Sequence, residues 1–501
     1  MGAYSATKPI QPILTKVIHG TIPTDLRGVF LRNGPNPRYE PIGNFHRFDG
    51  DGAVHAITFS GQTPIYSSII IDTNKAINER KAGRSLYLDL GEIVGKRGMF
   101  LMLLEAIKLG LGVIPRLPTY EDGTANTAFG YFDGHVYATY ESNRPFEIML
   151  KPTGEISSHG FESFHQTLQS AMTAHPKTDS ITGDLHYVTY STTPEAPPLQ
   201  YGTIHHKSLM VSKIRTIEMP NGPSMIHDFA ITETRGVVLD TPLKFDLPAW
   251  FNSENGWPIQ FHEHENVKVG IWDKFNNESN IMWIDLNETF QSFHTMSAWD
   301  DGDNGVIITA VKTPNFTMSY DHNTVNDHTH LWQWRLNLNT KSVSWSREIY
   351  SKRCEFPVIN QRWLGKRHQF GWVAMFGNNG LSIGVAKVDL WKGKMISEIL
   401  WKNGHENTET IFAPRVGSVV EDDGFLIALT TATVSKKVPP TGGNISNVEY
   451  VSHAVVYDAR TMALEPLVVV EIPHYVPHGL HATFIDDQMI DAHYQYQYQK
   501  K

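Results

Sequence analysis

Four histidines stand in separate strand-like surroundings: His175 in SAMTAHPKTD, His227 in SMIHDFAIT, His294 in QSFHTMSAWDDGD and His481 in VPHGLHATFID. A neutral imidazole lends one ring nitrogen to a metal. Several of them with no ligating carboxylate suit a borderline ion such as Fe(II), keep its +2 charge and leave coordination positions open. No short-range motif links the four, so only a closed, ring-like fold could bring them to one point. The chain has 24 histidines, and others compete for such a role. His262/His264 and His328/His330 are i, i+2 pairs that share one face of a strand and could chelate. Their settings, FHEHENVK and NDHTHLW, are polar and loop-like and signal no third or fourth ligand. His205 and His206 point to opposite faces if extended.

The elements that must position these residues are short alternating segments, among them AVHAITF, HVYATYE, DLHYVTY, GVIITAV, HLWQWRLNL, QFGWVAMF and SHAVVYDA. They are rich in Val, Ile, Thr, Tyr and Trp with a period near two, and KPTGE, KTDSITGD, LNTKS and DARTMALEP punctuate them as turns. A meandering antiparallel sheet of this length closes most economically as a β-propeller, giving an all-β single domain over residues 1–501. No strict repeat is visible, so the number of blades is not readable. LRNGPNPRYEP and RFDGDGAVH are Gly/Asp/Pro-rich turns that read as closing the propeller. One segment, Gly98 to Pro115 (GMFLMLLEAIKLGLGVIP), breaks the β pattern. Glu105 and Lys108 share one helical face and leave Phe100, Leu103, Leu104, Ile107 and Leu111 on the other. It is shorter than a spanning helix, and two readings stand: a core helix, or an interfacial helix dipping into a membrane. The tail HYQYQYQKK, from His493, reads as frayed or as an added edge strand, with flexible termini at 1–8 and 494–501.

Composition narrows the classes. With 41% hydrophobic, 11% aromatic and 19% charged residues, the 501-residue chain can fill a large core. A net charge of −9 without basic runs argues against nucleic acid. Neither GK[ST] nor GxGxxG follows a Gly-rich turn, and no GxSxG elbow exists, so no nucleotide cofactor and no serine hydrolase is expected. A single cysteine, Cys354, excludes an intrachain disulfide framework and fits a buried thiol in a reducing compartment. The start of the chain carries no apolar signal core, which reads as cytoplasmic.

AHPKTDSITGD, MIHDFAITE, FHTMSAW, CEFPVINQRWLGKRHQFGW and the early FDGDGAVHAI occur in one order from about Gly28 to Phe484. Together they resemble the carotenoid cleavage dioxygenases, especially the plant type. The resemblance implies seven blades with Fe(II) on the axis, a helical and loop cap over one face, and His175, His227, His294 and His481 as the ligands. It also implies that Glu141, Glu355 and Glu409 accept the outer ring N–H of the histidines and so fix tautomer and orientation. The match at Glu409 departs from the pattern, having Glu-Thr where the family commonly has Glu-Pro. Thr127, Tyr140 and Thr410 are the implied substrate and oxygen pocket. The stilbene-cleaving branch carries a lysine where this chain has Tyr140, which disfavours phenolic stilbenes. The expected reaction is cleavage of a conjugated C=C bond of a carotenoid or apocarotenoid by molecular oxygen. The expected partners are an apolar polyene and a membrane surface reached through the apolar helix. The alternatives are the same iron chemistry on a stilbene or phenylpropene, and a non-catalytic propeller scaffold.

Overall fold

The computed structural model describes residues 6–190, 199–212, 214–252, 256–316, 328–435 and 448–499. Its strands form seven antiparallel blades of a β-propeller, the number that the resemblance implies. Blades 2 to 6 follow one another along the chain, each entered at its innermost strand: Ala128–Phe132, Lys177–Thr178, Ala230–Ile231, Thr295–Asp300 and Cys354–Val358. Innermost strands of most successive blades touch, and the ring they form surrounds the axis.

Blades 1 and 7 are built from both ends of the chain. Ala482–Asp486 pairs with Gly28–Arg32 as the innermost strand of blade 1. Val17–Gly20 pairs with Val468–Ile472 at the outer edge of blade 7, whose innermost strand is Thr410–Pro414. The RNGPNP turn secures this closure, because Asn33 donates its N–H to the His481 carbonyl at 2.8 Å and its side-chain amide to Ala125 and Ala128 of blade 2. Gly34 lies so close to Gly479 that a Cβ on it would stand 2.5 Å from the Gly479 Cα, so only glycine fits there.

Burial explains the sequence patterns. Gly305–Lys312, sandwiched between neighbouring blades, is buried on both faces up to its last residue, so it reads as a continuous apolar run. Ser342–Tyr350, at the rim of the same blade, alternates between exposed and half-buried as far as Glu348. The core lies between blades: Tyr201, Trp272, Trp299 and Val373 join blades 3 to 6, while Phe30, Ile57, Phe425 and Val456 join blades 1 and 7. Cys354 is wholly buried in the first of these clusters, as expected of a structural thiol.

Among the described residues four α-helices interrupt the sheets: α1 (Asn74–Ala82), α2 (Gly95–Gly110), α3 (Leu247–Asn252) and α4 (Asp487–Gln499). The long connection from blade 1 to blade 2 carries α1 and α2. The expected apolar helix is α2, begun three residues earlier and ended five earlier. Much of its apolar face points outward, with Leu101 and Leu104 half-buried. Phe100 and Leu103 are each 58% exposed, Ile107 48% and Leu111 75%, whereas Glu105 is half-buried and accepts from the Leu88 N–H. Among the described residues no helix is long and apolar enough to cross a membrane.

The tail departs from expectation, being neither frayed nor a strand. In α4 the fully buried His493 bonds the Gly134 carbonyl through Nδ1 at 2.6 Å and accepts the Leu150 N–H at Nε2 at 3.0 Å, which ties the helix onto blade 2. Tight docking outweighs the low-complexity composition. Residues 1–5 and 500–501, within the termini expected to be flexible, lie outside the described residues.

Candidate metal centre

Each of the four histidines sits just ahead of an innermost strand: His175 before Lys177–Thr178, His227 before Ala230–Ile231, His294 before Thr295–Asp300 and His481 before Ala482–Asp486. The same station on four blades turns four distant positions into one ring. One nitrogen from each lies within 4.8 Å of all the others. His175 Nε2 stands 3.0 Å from His227 Nε2, and His294 Nε2 stands 3.2 Å from His481 Nε2.

The three glutamates come from the remaining blades. Glu141 follows the second strand of blade 2, Glu355 lies on the innermost strand of blade 6, and Glu409 precedes that of blade 7. Glu141 meets His227 Nδ1 at 3.2 Å, Glu355 meets His294 Nδ1 at 2.7 Å and Glu409 meets His481 Nδ1 at 3.2 Å. Two of the carboxylates are steadied in turn, Glu355 by the Phe356 N–H and Glu409 by the Ala482 N–H.

These contacts fix the chemistry of the ring. In a neutral imidazole an Nδ1–H donated to a carboxylate leaves Nε2 as a bare lone pair, so with both rings neutral the lone pairs of His294 and His481 face one another at 3.2 Å. Such an arrangement repels unless a cation lies between. Metal–nitrogen bonds of about 2.1 Å at right angles would set neighbouring nitrogens about 3.0 Å apart. The donor set therefore fits a divalent metal. Burial, reinforced by the other three imidazoles and Lys177, holds His175 well below the usual imidazole pKa and keeps it neutral. Burial lowers His481 as well, against the pull of Glu409. At His294 burial opposes the charged form, but Glu355 outweighs it and the pKa rises. Glu355 moves the other way, with burial opposed and exceeded by His294.

The pocket residues divide. Thr127 stands ahead of the innermost strand of blade 2, the station that histidines hold elsewhere, and its carbonyl accepts the His481 N–H at 3.3 Å. Tyr140 adjoins Glu141, and burial raises its phenol pKa. Thr410 is not turned to the ring, because alternation along the strand sends it away from Glu409 and its hydroxyl accepts from Asn407 at 3.3 Å. The competing histidines pair with surface carboxylates instead: His262 with Asp246 and Glu265, His330 with Glu348, His205 with Asp184 and His206 with Asp133. A second grouping, His135, Glu147 and Glu162, lies in blade 2, with His135 bonded to Glu147 at 2.7 Å.

Sequence reasoning missed two aromatic residues at the ring. Phe356 has φ +50, rare for a bulky residue, and its ring lies 5.3 Å from His294 and 5.0 Å from His481. Phe293 packs edge-on against His227 at 5.6 Å. Adjacency to His294 and Glu355 was the only available signal for either.

The family model described as retinal pigment epithelial membrane protein matches residues 4–486. A carotenoid 9,10(9',10')-cleavage dioxygenase of Arabidopsis thaliana is 30% identical over 96% of this chain and 88% of its own length. The chloroplastic 9-cis-epoxycarotenoid dioxygenase NCED6 of the same plant is 30% identical over 96% of this chain and 80% of its own. The cobalt-substituted apocarotenoid oxygenase of Synechocystis shares the fold with a TM-score of 0.76 at 20% identity, covering 97% of this chain and 98% of that one. The ring of histidines on a seven-bladed propeller thus sits in a chain that belongs to the retinal pigment epithelial membrane protein family, the carotenoid oxygenases.

Proposed function

We propose that this protein is an iron(II)-dependent dioxygenase that cleaves a conjugated C=C bond of a carotenoid or apocarotenoid into two carbonyl products. The observation that carries the reading is the set of Nε2 atoms converging while the outer nitrogens of His227, His294 and His481 are spent on carboxylates. In this reading His175, His227, His294 and His481 hold the iron, and Glu141, Glu355 and Glu409 fix the tautomers and offset charge without binding it. Iron held by imidazoles alone keeps positions open and supplies the activation of molecular oxygen, with no organic cofactor. Phe356 and Phe293 give the site apolar walls that hold a polyene in register and exclude water. Thr127, beside the His481 backbone, limits where a small ligand can approach. Tyr140, where stilbene-cleaving relatives are expected to carry lysine, supports a polyene over a phenolic stilbene.

The exposed apolar face of α2 supports peripheral contact with a membrane, from which a lipid-soluble substrate would be drawn. Leu247 and Phe251 of α3, which touches α2, are also exposed and extend that surface. The lone buried Cys354 supports a reducing, cytoplasmic setting.

Elemental analysis of anaerobically isolated protein should show about one iron per chain. Incubation with a carotenoid, an apocarotenoid and a stilbene, followed by mass spectrometry, should show two carbonyl fragments from the first two. His294→Ala should lose both iron and turnover while its strand content persists. Full activity in that variant would refute the assignment.

A further inference from the structure

We propose that Asp228 is a positioning residue for the metal centre, a single carboxylate that bolts together the backbones of three of the four histidine-bearing segments. This rests on the metal-centre reading above. Asp228 directly follows His227 and is only 8% exposed. Its Oδ1 meets the Lys177 ammonium at 2.6 Å, and Lys177 lies two residues beyond His175 in blade 3. Its Oδ2 accepts both the N–H and the hydroxyl of Thr295, each at 2.9 Å, and Thr295 directly follows His294 in blade 5. One side chain in blade 4 thus reaches into the blades on either side, each time within two residues of a histidine.

A second tie runs between blades 3 and 4. The Thr173 hydroxyl donates to the His227 carbonyl at 3.0 Å and accepts the His175 N–H at 3.2 Å. Among the described residues no continuous ladder of backbone hydrogen bonds joins blades 3, 4 and 5, so a small slip of one blade would pass straight into the Nε2 separations. Asp228 and Thr173 oppose that slip. Lys177 offsets part of the Asp228 charge, and the contacts that Asp228 makes run to Lys177 and Thr295 and not to an imidazole. This separates Asp228 from the three glutamates, which touch the imidazoles themselves. The chemistry also requires a carboxylate. Both oxygens must accept, and an amide has one acceptor, so asparagine would turn N–H groups toward either Lys177 or Thr295.

Cobalt(II)-loaded protein tests this, because its visible ligand-field bands report ligand geometry directly. Asp228→Asn should shift those bands and weaken Co(II) binding by about 10- to 100-fold. Adding Lys177→Met to Asp228→Asn removes the donor that the amide cannot serve, and should restore part of the affinity and the parent bands. A merely structural role would lower the melting temperature and leave the bands of the loaded protein in place. Bands and affinity equal to the parent's, whatever the melting temperature, overturn the proposal. Should Asp228→Asn fail to fold, Thr295→Val deletes one of the bonds to Oδ2, and the same spectrum decides: a shift supports the bolt and a parent spectrum overturns it. Parent protein that takes up no Co(II) refutes the metal-centre reading itself, a failure visible before any variant is made.

Discussion

Three of the imidazoles in the ring spend their two nitrogens in opposite directions, one on a carboxylate and one on the axis. Glu355 makes the shortest of the three contacts, 2.7 Å to His294, and its influence lifts the His294 pKa against burial. Glu355→Gln keeps the shape and an acceptor but removes the charge. Metal affinity should fall about 10- to 100-fold, read by titration of metal-free protein, and the same affinity in the variant would show that the charge is idle. The four histidines were legible because their immediate neighbours carry the family pattern, which the polar settings of His262, His264, His328 and His330 lack. Phe356 was not legible. Nothing in EFPV announces a positive φ at phenylalanine, a conformation that the surrounding fold imposes on the residue.

At the scale of elements, α2 shows how much a pattern can say. The spacing of Glu105 and Lys108 defined two faces, but periodicity does not tell which face meets water, and both readings shared the same stripe. The structure turns Glu105 toward Leu88 and leaves Phe100 and Leu103 outside. Each large apolar side chain withdrawn from water contributes roughly 1.5–3 kcal/mol, enough in combination for reversible attachment. Phe100→Ser with Leu103→Ser should therefore release the protein from liposomes in flotation and leave its melting temperature within a degree or so of the parent. Unchanged flotation would remove α2 from the membrane account.

The long connection from blade 1 to blade 2 is joined to blade 1 at Asp49, which accepts the His46 N–H at 2.7 Å and the Gly91 N–H at 3.2 Å. Burial, with the neighbouring Asp89 carboxylate adding to it, raises the Asp49 pKa to about 7. The unfolded chain titrates this group near 3.9, so the native state holds the proton more tightly. Its contribution to stability is full below about pH 4 and is lost as pH rises through 7. Melting temperatures measured from pH 4 to 8 should thus decline more steeply in the parent than in Asp49→Asn, and parallel curves would contradict the assignment. The tail, by contrast, hid its structure, since a composition of His, Tyr and Gln says nothing of the buried socket that His493 finds between Gly134 and Leu150.

For the whole molecule, turn-punctuated alternation made a closed all-β architecture readable, because a strand sandwiched between blades and a strand at the rim leave different local marks. The count of seven was not readable from periodicity. The blades differ in length, blade 4 carries an inserted hairpin between Leu243–Phe245 and Ile259–Phe261, and register between strands is a non-local property. The pairings that close the ring, Val17–Gly20 with Val468–Ile472 and Gly28–Arg32 with Ala482–Asp486, join residues from nearly opposite ends of the sequence.

That double closure gives the centre an order of birth. His481 stands at the head of the strand that completes blade 1, so a chain still on the ribosome and halted before it offers at most three of the four histidines. The segment Val17–Gly20 is synthesised long before its partner Val468–Ile472, waits unpaired until that strand emerges, and must be shielded meanwhile. Under the proposed reading, metal uptake through four imidazoles would therefore follow the emergence of His481, and the arrival of the ion would report that the ring has shut.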